Sequence, residues 1–101
     1  MATTSAQKAF DDIIAYVKSQ RKYYQSWYCG ITSDIETRLF GEHGVSREGV
    51  WIHTNCDTAA DARAVEKALI ENGFQGGSGG GDQRSNIVYA YLITPTGQSQ
   101  S

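Results

Sequence analysis

The residues of this sequence best suited to chemistry are Tyr28, Arg38, His43 and Glu66. Arginine presents a planar fork of donors that matches phosphate oxygens, and a helix keeps that fork aimed. Arg38 falls one turn into a predicted helix, beside the end of the strand that carries Tyr28. There it can clamp a phosphate and stabilise developing negative charge, or pair with Glu42 or Asp34. Glu66 stands on a predicted helix whose apolar stripe runs through Ala62, Val65 and Leu69, within about 60° of the centre of that stripe. A carboxylate held there needs a partner, because burying it unpaired is costly. Arg63, Lys67 or Arg38 can supply one. A magnesium ion can too, since one carboxylate plus waters and substrate phosphate makes an ordinary magnesium site. His43 can serve as a base or a phosphate donor. His53, inside a predicted strand, reads as a packed histidine.

These side chains must be positioned by a small set of elements. Phe10, Ile13, Ile14 and Val17 recur at helical spacing and predict an amphipathic helix over 4–22, capped by Thr4 or Ser5. A strand is expected over 26–31 and a short helix over 34–42. Ser33 and Glu36 have the spacing of a capping box for that helix. A second strand is expected over 49–55. A helix then runs from Asp57 or Thr58 to about Asn72, with Gly73 as its C-cap. The run Ile87-Val88-Tyr89-Ala90-Tyr91-Leu92-Ile93 predicts a third strand over 86–94, apolar on both faces. The fold class is α+β: a small three-stranded antiparallel or mixed sheet flanked by helices. Residues 1–94 form one domain, and 95–101 read as a flexible tail.

The run Gly76-Gly77-Ser78-Gly79-Gly80-Gly81-Asp82 has the composition of a flexible linker, yet predicted elements hold both its ends. Bare amides can also wrap a phosphate. Gly79, Gly80, Asp82, Arg84 and Asn86 are therefore candidate ligand contacts, with Gly30 and Thr32 at the first strand. No Gly-Lys-Ser/Thr follows, so this is no Walker motif.

Of the 101 residues, 40% are hydrophobic and 20% charged, which suits one globular core. The net charge of −2 argues against a general duplex-DNA binder, whose affinity rests on many cationic contacts. A nucleotide or a single strand needs fewer. No run approaches a membrane span and no secretory signal is visible. Cys29 and Cys56 make no disulfide framework, so a cytoplasmic, reduced protein is expected.

The segment Tyr28-Cys29-Gly30-Ile31-Thr32, with Asp34, Arg38 and Leu39, resembles the second half of the GIY-YIG endonuclease signature. Ala62 to Ile70 resembles the helix that carries the metal-binding glutamate of that family. The resemblance covers about residues 27–72. It implies a metal-dependent phosphodiesterase in which Tyr28 activates water, Arg38 stabilises phosphate charge and Glu66 holds Mg²⁺ or Mn²⁺. Two departures stand out: His43 lies about one residue late, and the opening Gly-Ile-Tyr strand is absent from its usual place. Strand 86–94 is expected to replace it beside strand 26–31, which puts Tyr89 or Tyr91 where the first tyrosine of that family stands. The expected substrate is a nucleotide or a single-stranded nucleic acid, with the cyclic nucleotide immune signals that phages counter among the candidates. The alternative is an inactive protein of this fold that sequesters such a nucleotide. A third reading is a partner-binding module anchored by Trp27, Trp51 and Tyr23-Tyr24. Self-association is compatible with so small a chain.

Overall fold

The computed structural model describes residues 3–45, 49–76 and 84–93. The first helix, α1 (Ala6–Ser19), buries Ala9, Ile13 and Val17 along one stripe. Ser5 caps it by accepting from the Lys8 amide at 3.3 Å. It stops short of the expected residue 22, because Gln20 caps it and Arg21 turns into the left-handed region at φ 57°.

The sheet holds β1 (Trp27–Thr32), β2 (Trp51–Asn55), β3 (Gln75–Gly76) and β4 (Ile87–Leu92), in the order β2-β4-β1-β3. It is therefore a mixed sheet in an α+β fold. It has one strand more than expected, because β3 is two exposed residues running parallel to β1, with no hydrophobic pattern to announce it. Strand β4 pairs antiparallel with β1, as expected, and also with β2.

Alternation along these strands separates two cores. Trp27, Cys29, Ile31, Val88 and Ala90 share one core with the buried stripes of α1 and of α2 (Ala59–Glu71). Tyr28, Tyr89 and Tyr91 point to the opposite face and pack against Leu39 and Val45. Burial on both sides explains why β4 reads as a continuous apolar run.

Thr58 caps α2 by accepting from the Asp61 amide at 3.0 Å. At the other end Gly73 takes φ 116°, its amide reaching the Ile70 carbonyl and the Phe74 amide the Leu69 carbonyl. This is a Schellman motif, closed by buried Leu69 and Phe74. Gly73 thus fills its expected role.

The short helix differs from expectation. Glu36–Glu42 is a π-helix with Ile35 at its N-cap position and no side-chain cap bond there; the side chain that accepts at its entry is Asp34 rather than Ser33. The Asp34 carboxylate accepts from the Thr37 amide at 3.2 Å and the Thr37 hydroxyl at 2.9 Å, and its carbonyl accepts from the Arg38 amide at 3.1 Å. The Asp34 amide in turn donates to Thr32 Oγ1 at 3.0 Å. A carboxylate is the stronger acceptor, and Thr37 supplies it with two donors. Those bonds hold the Asp34 carboxyl below its ordinary range. The helix is wide because the His43 amide bonds the Arg38 carbonyl five residues back. Gly44 ends it at φ 69°. Among the described residues, no helix is long and apolar enough to cross a membrane.

Candidate functional site

Register brings the tyrosines together. Tyr28 stands opposite Tyr91, and Gly30 opposite Tyr89, on the face covered by the π-helix. The Tyr89 hydroxyl is the hub of a chain of hydrogen bonds. Arg38 Nε donates to it at 3.3 Å, and His43 Nε2 lies 2.9 Å away. His43 Nδ1 lies 3.2 Å from the Tyr91 hydroxyl. An arginine can only donate, so the Tyr89 oxygen accepts from Arg38, while the roles in the two His43 bonds follow the tautomer of its ring. Tyr28 stacks on Tyr91 with ring centroids 5.5 Å apart and lies 5.2 Å from the His43 ring.

Gly30 makes this arrangement possible. A Cβ built there would fall 2.6 Å from Tyr89 Cζ and collide with the phenol oxygen as well. Glycine at this position is the gap into which the Tyr89 ring fits.

His43, Tyr89 and Tyr91 are fully buried, and Tyr28 is nearly so. Burial pushes the Tyr89 phenol up to about 12, against the opposing pull of Arg38. Burial raises Tyr91 too, helped by Tyr89 and Tyr28. Both are therefore neutral phenols at pH 7. Arg38 is only partly buried and links this interior chain to the surface.

Glu66 is 9% exposed on α2. Among the described residues it forms no hydrogen bond or ion pair. Burial raises its carboxyl, while the positive fields of Arg63 and Arg38 partly oppose the rise. Its negative charge also acts on Tyr89 and on Cys29, whose thiol burial pushes up to about 12. Glu66 thus lies electrostatically beside the tyrosine–histidine chain. One carboxylate together with waters and a substrate phosphate makes an ordinary magnesium site. Among the described residues, no cluster of three or more metal-ligating side chains accompanies it.

The other expected contacts scatter. Thr32 is engaged with Asp34 at the entry to the π-helix. The Asn86 amide donates to the Cys56 carbonyl at 2.9 Å and ties the start of β4 to the end of β2. Arg84 is exposed. Gly79, Gly80 and Asp82 lie outside the described residues, as does the expected tail. No family model matches the chain, and neither a curated protein nor a solved structure matches it.

Proposed function

We propose that this protein is a metal-dependent phosphodiesterase of GIY-YIG-like type, acting on a nucleotide or a single-stranded nucleic acid. The observation that carries the reading is the convergence of Arg38, His43, Tyr28, Tyr89 and Tyr91 on one sheet face, with the charge of Glu66 on α2 felt at Arg38 and Tyr89. These are the residues the resemblance selects from segments far apart in sequence. In this reading the Arg38 guanidinium binds the phosphodiester and stabilises charge on it. Tyr89 and His43 orient Arg38 through their hydrogen bonds, while Tyr28 positions the attacking water; the P–O bond to the leaving oxygen breaks, and that oxygen takes up the proton the water gives up. Glu66 is the residue that would hold Mg²⁺ or Mn²⁺, which when bound polarises a phosphate oxygen.

A second reading has its own support. His43, Tyr89 and Tyr91 have no solvent exposure, which suits a fold that keeps the network as structure and uses Arg38 to hold a nucleotide intact. One experiment separates the two. The purified protein is incubated with cyclic dinucleotides, cyclic ADP-ribose isomers, and single- and double-stranded DNA, with Mg²⁺ or EDTA. Metal-dependent fragments that disappear in Glu66→Ala support the enzyme. Ligand depletion with intact recovery on heating supports sequestration. No change in any sample overturns both.

A further inference from the structure

The strand at the sheet edge carries an aromatic pair that the proposed reaction leaves unused. By register, Trp51 stands opposite Tyr91 and His53 opposite Tyr89, so both share the face of the tyrosine–histidine chain. The Trp51 and His53 rings lie 5.7 Å apart and within 15° of parallel. Phe40 of the π-helix meets Trp51 edge-on, with centroids 5.0 Å apart, and so fixes the inner end of the stack. His53 is its outer end.

Exposure separates this pair from its neighbours. Tyr89 and Tyr91 are closed to solvent, whereas every residue of β2 is partly exposed. Burial lowers the His53 pKa below its ordinary value, so the ring is a neutral imidazole at pH 7. It can offer an aromatic face there without a charge. Every nucleobase has a π-face that such a ring can take.

We infer that the Trp51–His53 pair is a stacking shelf for a base of the nucleotide or single strand whose phosphodiester lies at Arg38. This rests on the phosphodiester-binding reading proposed above. The shelf packs against Phe40 at Trp51 and is partly exposed at His53. It adds affinity for base-bearing ligands without reading hydrogen-bond edges, and so tolerates many sequences. His53 is then a ligand-positioning residue and takes no part in the reaction itself.

The test uses three probes: a deoxytetranucleotide, an abasic tetramer of the same backbone, and cyclic di-AMP. Affinities are measured by calorimetry for the wild type, Arg38→Ala, His53→Thr and His53→Phe. Threonine keeps the β-strand preference, so the fold is retained. Wild type is expected to bind the base-bearing probes more tightly than the abasic one. His53→Thr is expected to weaken base-bearing probes by roughly 5- to 150-fold, the range of one base–aromatic stack, and to leave the abasic probe unchanged. His53→Phe is expected to restore the difference, and Arg38→Ala to weaken all three. Trp51 is the accessible tryptophan, since Trp27 is fully buried, so its emission should respond to base-bearing probes alone. Equal binding of base-bearing and abasic tetramers, or an equal loss for both in His53→Thr, overturns the shelf and leaves the phosphodiester reading standing. No binding of any probe to wild type overturns both.

Discussion

Replacing Glu66 by glutamine is expected to raise stability and remove activity together. The side chain is 9% exposed and has no hydrogen bond or ion pair among the described residues. Burial outweighs the help of Arg63 and Arg38, so its folded pKa is raised above the ordinary carboxylate value. Between those two values the folded state binds more protons than the unfolded one, and stability falls as pH rises through that window. Above it the cost is constant. Glutamine keeps the shape and removes the charge. The gain should be about 1 kcal/mol, at the low end of the range for unbonded polar groups in proteins, because the amide keeps part of the desolvation cost. In a domain of this size that is a rise of about 4–8 °C in Tm. Thermal melts of wild type and variant at pH 8 and near pH 4, without metal, measure it. The difference should be full at pH 8 and small near pH 4, where the wild-type carboxyl is protonated in the folded state. Metal-dependent cleavage should be lost in the same variant. Opposite signs in the two assays mark a residue kept for function at the expense of stability. A lower Tm at pH 8 would refute the reasoning, because it would mean that the carboxylate has a stabilising protein partner.

Gly30→Ala should cost about 1–3 kcal/mol by overpacking against the Tyr89 ring, and less in a Tyr89→Leu background, where denaturant melts of the double mutant should show the coupling. Tyr89→Phe should cost about 1–3 kcal/mol, because it leaves His43 Nε2 buried without its partner; the urea midpoint should fall at unchanged slope. The Asp34 carboxyl is held below its ordinary pKa by Thr37, so its contribution is present above the ordinary carboxylate pKa and lost as pH falls through the folded value. Asp34→Asn should therefore melt below wild type at neutral pH, and the gap should close in acid.

The helices were legible because their signals are local. The stripe of α1, the Thr58 cap and the Gly73 terminus each depend on residues within a turn or two. The β1–β4 pairing was expected on other grounds: the signature that the segment around Tyr28 resembles has an opening strand absent from its usual place, and strand 86–94 was the segment left to supply it. What stayed hidden depends on distant partners. Gly30 looks like an ordinary turn residue until the Tyr89 ring, paired with it through β4, occupies the place of its Cβ. Ser33 and Asp34 are both good caps, and Thr37, with a backbone and a side-chain donor, decides between them. His53 read as packing because only strand register shows that it shares a face with the site.

The π-helix decides which residue after Arg38 returns to its side of the helix. An α-helical turn from Arg38 would bring the residue four positions on above it. The i→i+5 bond from the His43 amide to the Arg38 carbonyl takes one residue more per turn, so the fifth position returns there instead. Arg38 and His43 consequently reach the same phenol, at 3.3 and 2.9 Å. The wide turn thus sets His43, rather than the residue before it, over Arg38. Such turns are less favourable than α-helix and recur where a side chain must be aimed. Here the Asp34 cap, the Gly44 terminus and buried Leu39 hold it in place. The same segment helps to bury the tyrosines and His43. Leu39 and Val45, on either side of His43, pack on the tyrosines and leave Arg38 as the link to solvent.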